Sequence, residues 1–165
     1  MRRLALTALL LVLVASAFIA PSAAQGGNPI QLGTVRVNVA TPLFFLGPGP
    51  GCLFRAFYGL SSPDGQTVGQ GQNCIRSDNG QGTLLIDVTL SLPGGTIQAS
   101  ITDVETSDFD PATGVLTITE DWNGPVTGGK GLYNGASGTL SAHGSVIVNP
   151  DGSGSFDIPI VVTLT

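Results

Sequence analysis

Two acidic residues interrupt apolar stripes in segments whose alternation is typical of β-strands. Asp103 continues the apolar positions of residues 97–101, and Glu120 continues those of residues 116–118, with Trp122 next on the same face. Because residues two apart share one face of a strand, we expect both carboxyl groups on the face that packs inward. Burial raises the pKa of a carboxyl group towards values that are useful for acid–base catalysis. The simpler alternative is that each carboxyl group marks a strand end and reaches water.

Arg55 is a third charge among apolar neighbours, although both faces of its segment are apolar. The single histidine, His143, shares a face with hydroxyl-bearing residues and is expected at the surface, despite a pKa that suits catalysis. We therefore expect a ligand-binding set of Glu120, Asp103, Arg55 and Trp122, and we assign no catalytic residue.

Several other chemistries are disfavoured by the residue types available. One histidine and two cysteines cannot build an ordinary zinc site. No Gly-x-Ser-x-Gly sequence precedes His143, as a hydrolase nucleophile would require. The acidic run at residues 103–110 lacks the spacing and the final glutamate of a calcium loop, so no metal site is expected, although loose cation binding there stays open.

Residues 126–138 contain five glycines around one aromatic residue, Tyr133. Gly128, Gly129 and Gly131 can take positive φ at little steric cost, so we expect this segment to fold back tightly with Tyr133 as its anchor. The segment lacks the Gly-Lys-Ser/Thr ending of a phosphate-binding loop. Backbone geometry is therefore its expected role.

Alternating residues and turn signals predict an all-β domain of about eight antiparallel strands, closed as a barrel or packed as a sandwich. The predicted strands cover residues 32–39, 52–60, 67–76, 83–92, 96–104, 115–122, 138–148 and 155–164. Pro93-Gly94-Gly95 predicts a tight hairpin, in which both glycines take positive φ. Residues 108–114 predict an acidic turn.

The amino terminus predicts export of the protein. Residues 1–24 combine Arg2 and Arg3 with an apolar run and a small-residue exit, which is typical of a cleaved signal peptide, with a membrane anchor as the alternative. The mature domain would be residues 25–165, secreted to the extracellular space, where no further apolar run reaches membrane length. Its two cysteines, Cys52 and Cys74, predict one disulfide, with a free, functional Cys74 as the alternative.

The charge of the chain disfavours one class of partner. It has 6 Lys and Arg against 11 Asp and Glu, and no basic stripe with interleaved aromatic residues. Nucleic acids and other polyanions would therefore be repelled.

Two glycine-rich blocks carry a resemblance to a known superfamily. One block runs from Gly128, Gly129, Lys130 and Gly131 through Tyr133 to Ala136 and Gly138, and the other is residues 68–76, which end in Cys74-Ile75-Arg76. Together they resemble the allene oxide cyclases and dirigent proteins, in the order of that family and clearest over residues 65–145. Lys130 departs from the family's usual threonine. The resemblance implies a closed barrel, no cofactor, frequent homo-oligomers and a position for Cys74 at the border of a ligand cavity.

The leading hypothesis is a secreted barrel that binds a small apolar molecule in its lumen and steers its cyclisation or coupling by shape. Confinement can select one conformer of a reactive intermediate, with a polar group oriented by Glu120, Asp103 or Arg55. The alternative is a non-enzymatic carrier or structural surface module with a filled barrel, since eight strands enclose little space. An open cavity containing the off-pattern charges would favour binding, and a filled core would favour the alternative.

Overall fold

A computed structural model of the chain describes residues 33–151 and 153–165. All regular structure in these residues is β-strand, and none of it is a helix long and apolar enough to cross a membrane. The predicted signal peptide at residues 1–24 and the predicted start of the mature chain near Gln25 lie outside the described residues.

The described residues form nine strands, each antiparallel to its neighbours. They are β1 (Gly33–Leu46), β2 (Phe54–Ser61), β3 (Thr67–Asp78), β4 (Thr83–Leu92), β5 (Gly95–Asp110), β6 (Val115–Gly131), β7 (Gly138–Val148), β8 (Gly154–Asp157) and β9 (Pro159–Leu164). Strands β1 to β7 pair in chain order, and β9 pairs with both β7 and β1. Only Ile158 separates β8 from β9, so these two short strands together occupy the position of the eighth strand of the barrel. The predicted closed, eight-stranded antiparallel barrel is confirmed.

One half of the barrel is filled by its own side chains. The largest fully buried apolar residues are Leu60, Leu90, Ile97, Ile101, Leu140, Ile160, Val88 and Val162. Many of them lie near the strand ends that surround the hairpin at Pro93 and Gly94 and the C-terminus. This end of the barrel is therefore closely packed in the described residues, and the cavity lies towards the opposite end.

At that opposite end, four strands project beyond the others. Strand β4 begins at Thr83, opposite Val104, whereas β5 continues to Asp110 and pairs with β6 over this extension. Strands β7 and β8 extend the same sheet. We call this projection the lip, comprising residues 106–110, 115–119, 145–148 and 154–157. Its two turns touch, because a Cβ on Gly114 would lie 2.8 Å from Pro150 Cγ.

Strands β5 and β6 are both longer than the sequence predicts, which corrects two predictions. The predicted turn at residues 108–114 is confined to residues 111–114, because residues 108–110 pair with β6. The glycine-rich segment is also partly strand, since β6 continues to Gly131 and only residues 132–137 turn back.

The glycines of this segment serve different purposes. Gly131 has φ 67°, and a Cβ on it would lie 2.1 Å from the carbonyl oxygen of Gly94. Gly128 also has positive φ, at 153°, but Gly129 does not, so that prediction is wrong. Gly129 is needed for close approach, because a Cβ there would lie 2.4 Å from the Tyr133 carbonyl oxygen. Tyr133 is buried beneath the turn, as expected of an anchor.

The hairpin between β4 and β5 shows the same division of roles. Of its two glycines, Gly94 has positive φ, at 90°, and Gly95 does not. A Cβ on Gly95 would lie 2.0 Å from the carbonyl oxygen of Lys130 in β6. Strand packing, and not turn geometry, therefore requires the second glycine.

The predicted disulfide between Cys52 and Cys74 is confirmed, with a Cα–Cα distance of 5.3 Å. It ties the β1–β2 loop to β3 at the lip end of the barrel. In the same loop, a Cβ on Gly49 would lie 2.9 Å from Arg55 Nε, so the loop backbone passes close over this guanidinium group.

Candidate ligand-binding site

A cavity of about 80 Å³, partly open to solvent, lies inside the barrel at the lip end. Half of its lining residues are aliphatic, and β8 adds Phe156. Its polar and aromatic lining otherwise comprises Tyr58, Asn73, Asp103, Glu105, Glu120 and Trp122. The cavity therefore combines apolar walls with three carboxyl groups.

Cross-strand register brings the three carboxyl groups together. Glu105 on β5 lies directly opposite Glu120 on β6, and Asp103 lies opposite Trp122. Directly opposite residues in an antiparallel pair have Cβ atoms about 5 Å apart, and diagonal neighbours are within reach of long side chains. Like charges so close together cannot all ionise freely in an apolar cavity.

Asp103 is the most deeply buried of the three, with 1% of its surface exposed. Its Oδ1 accepts a hydrogen bond of 3.2 Å from the backbone N–H of Asp121. Burial, followed by repulsion from Glu105, raises the pKa of Asp103 to about 7, against the opposing effect of that hydrogen bond.

The two glutamates are shifted in the same direction. Burial raises the pKa of Glu120 to about 7, and the charges of Asp103 and Glu105 add to this effect. Burial also raises the pKa of Glu105, while its direct interaction with Asp103 opposes the rise. Near neutral pH the site therefore offers both protonated and ionised carboxyl groups, which can donate and accept protons.

Trp122 contributes a donor without a partner. Its side chain is 3% exposed, and Nε1 has no hydrogen-bond partner among the described residues. The indole N–H is nevertheless close enough to Asp103 and Glu120 to lower the pKa of both carboxyl groups. The indole N–H therefore favours the ionised forms of Asp103 and Glu120, although neither contact has the geometry of a hydrogen bond.

Tyr58 and Asn73 form a buried pair on the opposite wall. The Tyr58 hydroxyl donates a 2.7 Å hydrogen bond to Asn73 Oδ1. Burial, with a smaller effect of Glu120, raises the pKa of Tyr58, so the phenol stays neutral. The pair presents a fixed polar edge to the cavity.

The structure brings together three of the four residues that the sequence analysis proposed for ligand binding. Asp103, Glu120 and Trp122 all line the cavity, whereas Arg55 does not. Arg55 alternates with the buried residues of β2 and lies beside the Gly49 loop, where its Nε is buried with no hydrogen-bond partner among the described residues. That the three lining residues bind a ligand stays a prediction.

Other sequence-based expectations concern residues outside the cavity. His143 is exposed on β7, opposite Asp121. Cys74, which the family resemblance put at a cavity border, does not line the cavity, although its neighbours Asn73 and Ile75 do. The alternation of β3 turns the disulfide away from the lumen.

Three polar residues of the cavity wall were missed by sequence reasoning. Glu105 continues the Asp103 stripe by one more step, so the same alternation rule would have found it. Tyr58 alternates with buried Ala56 and Leu60, but a tyrosine in such a stripe carries no special signal. Asn73 follows the small Gly71 on its face, which left that face without an apolar pattern.

The described residues contain no group of three histidine, cysteine, aspartate or glutamate side chains arranged to hold a metal ion. The acidic run at residues 103–110, considered for loose cation binding, instead divides between the two faces of β5. Asp103 and Glu105 share the face that lines the cavity, and Asp108 and Asp110 lie on exposed positions of the other face.

Comparison with known proteins leaves the family open. No family model matches the chain, and no curated protein does. A solved structure named pyocyanin demethylase has 20% sequence identity and a TM-score of 0.47, with 80% of this chain and 99% of that chain covered. A match at this level carries no inference for this chain. The resemblance to allene oxide cyclases and dirigent proteins is thus supported only as far as the barrel, which the strand pairing establishes.

Proposed function

We propose that the barrel is a secreted binding protein for a small, largely apolar molecule, one polar group of which is held by Glu120 and Asp103. The observation that carries this proposal is the presence of buried carboxyl groups on the walls of an otherwise apolar cavity. Such cavities, with few convergent polar groups and perturbed pKa values, are the usual form of small-molecule sites. The disulfide suits an oxidising, extracellular location.

The size of the cavity limits what it can enclose. At about 80 Å³ it is smaller than the roughly 150 Å³ that accommodates benzene in an engineered protein core. It therefore holds one polar group and a few carbon atoms, and the remainder of the molecule must extend out of the mouth.

The lip supplies a surface for that remainder. Ile118, Val146 and Phe156 are successive cross-strand partners, and Val146 and Phe156 already line the cavity. One step outward, Leu116 pairs with Phe109 on one side and with Val148 on the other. Phe109 is 60% exposed. An apolar guest lying along this face would remove it from water, at about 25 cal/mol per Å² of buried apolar surface.

The same site could support catalysis without a cofactor. A protonated carboxyl group beside an ionised one provides an acid and a base at neutral pH. Confinement against the lip would select one folded conformer of a reactive guest. Steered cyclisation or coupling, as in the cyclases and dirigent proteins that the sequence resembles, is the reaction class that this arrangement suits.

A second candidate is a non-enzymatic carrier or structural module. It is favoured by the filled half of the barrel, which leaves no continuous lumen among the described residues. A carrier would bind the same guest and release it unchanged, so turnover of a bound molecule separates the two.

The test is native mass spectrometry of the protein purified from its source. We expect a bound small molecule, which Ala56→Leu should exclude, because Ala56 lines the cavity and is 4% exposed. Glu120→Gln should weaken binding by about 1 to 3 kcal/mol, as expected when one buried hydrogen-bonding partner is altered. His143→Ala, on the outer surface, should bind like the wild type. A folded protein that carries no molecule, and binds no small amphipathic fragment with its polar group in the cavity, would refute the proposal.

A further inference from the structure

The charge of the cavity is unbalanced. Three carboxyl groups line it, and no basic side chain among the described residues does. Those side chains are Arg36, Arg55, Arg76, Lys130 and His143. Arg76 is engaged at 2.7 Å with Asp87, and Lys130 lies in β6 near the filled end of the barrel. The counter-charge for the carboxyl groups must therefore come from protons or from a bound molecule.

Every titratable group of residues 33–151 and 153–165 that faces the cluster is acidic. Strand β2 contributes Tyr58, and β3 contributes Asp78, whose charge raises the pKa of Glu105. The lining residues of β4, β7 and β8 are uncharged. The ionised carboxyl groups would repel an anionic guest, so the cavity selects against carboxylates and phosphates.

The remaining lining is suited to an organic cation rather than a metal ion. Tyr58, Trp122 and Phe156 place three aromatic rings in the wall, and aromatic faces attract ammonium groups, most strongly when both are removed from water. The carboxyl groups are not arranged for metal coordination among the described residues. The buried Nε1 of Trp122 is a free donor beside these carboxyl groups among the described residues, and an ionised carboxylate accepts from such a donor more strongly than a protonated acid does.

We infer that the guest's polar group is a cation, and that the cavity recognises the ammonium group of a small organic amine whose hydrocarbon part lies on the lip. This rests on the proposed function and names its ligand class. The ammonium group replaces the protons that otherwise neutralise the cluster. Binding therefore ionises Glu120 and Asp103, makes both stronger acceptors for the Trp122 N–H, and releases protons to solvent.

The experiment compares three probes that share one ring: benzylammonium, benzyl alcohol and benzoate. Binding is followed by NMR at pH 7, through the indole N–H of Trp122 and the backbone amides of β5 and β6. We expect benzylammonium to bind about tenfold or more tightly than benzyl alcohol, and benzoate not to bind. Calorimetry in buffers of different ionisation enthalpy should show release of up to about one proton with the amine and none with the alcohol.

Two variants locate the preference. Glu120→Gln should reduce the preference for the amine over the alcohol, and so should Glu105→Gln; both glutamates are half-buried, so either change carries less risk to folding than one at buried Asp103. Asp64→Asn removes an exposed carboxyl group in the turn between β2 and β3, away from the cavity and the lip, and serves as the matched control, with the wild-type preference expected.

The possible outcomes distinguish failure of the cation assignment from failure of the proposed binding function. Equal binding of amine and alcohol in the cavity would overturn the cation assignment and leave the proposed function intact. Failure of all three probes to perturb cavity residues of the folded protein would overturn both. Displacement of the amine by millimolar Mg²⁺ or Ca²⁺ at the same residues would also overturn the assignment, in favour of an inorganic cation.

Discussion

The buried carboxyl cluster should make the protein less stable as the pH rises through neutrality. The pKa of Asp103 is raised from its ordinary value of 3.8 to about 7, and that of Glu120 from 4.5 to about 7. Between these values the unfolded chain has lost protons that the native carboxyl groups still hold. The free energy of unfolding therefore falls from about pH 4 and levels off above the native pKa values.

The magnitude follows from the same values. For Asp103 alone the difference of about three pH units corresponds to roughly 4 kcal/mol, at 1.36 kcal/mol per unit. Most of this loss falls between pH 5 and pH 8. The two free-energy costs do not add, because the repulsion between Asp103 and Glu120 contributes to both pKa shifts. Solvent at the open mouth of the cavity also screens this repulsion. We expect the pair together to cost about 2 to 3 kcal/mol over that interval.

The assay is urea unfolding of the wild type and of Asp103→Asn/Glu120→Gln at pH 5, 6, 7 and 8. Each amide is close in shape to the protonated acid, and the amide oxygen introduced at position 103 would still accept the Asp121 N–H. The double variant should be more stable than the wild type by about 2 to 3 kcal/mol at pH 8, with a smaller difference at pH 5. Asp157→Asn should keep the wild-type profile. Parallel pH profiles of the wild type and the double variant would refute the buried-cluster reasoning.

Two further predictions test the scaffold around the site. Gly131→Val should lower the free energy of unfolding by about 3 kcal/mol or more, because φ is 67° there and a Cβ would lie 2.1 Å from the Gly94 oxygen; exposed Lys130→Thr should stay within about 0.5 kcal/mol. Equal denaturant midpoints for these two variants would contradict that account. Reduction of the Cys52–Cys74 bridge, across a sequence separation of 22, should cost about 3 kcal/mol without abolishing the fold. Identical thermal midpoints with and without reductant would rule out that contribution.

The sequence by itself was sufficient where a property depends on one strand. The alternation of residues 83–92 and 138–148 predicted β4 and β7 with their observed bounds. The same rule directed Asp103, Glu120 and Trp122 towards the lumen, because side-chain direction in a strand is local. Cysteine count and the expected compartment also predicted the disulfide correctly.

Only the tertiary structure determined how far each strand extends, because a strand continues as long as a neighbouring strand pairs with it. Sequence patterns stopped β5 near Val104 and β6 near Trp122, since the residues beyond are polar or glycine-rich, yet both strands continue because each finds a partner for its backbone hydrogen bonds. The lip and the pairing of Glu105 with Glu120 follow from that register. Arg55 lies outside the cavity because β2, with apolar residues on both faces, turns Ala56 and Tyr58 inward. The division of the lumen into a filled half and a small acidic cavity depends on side chains from several strands meeting across the barrel. Those distances are set by barrel closure, which no single segment of the sequence encodes.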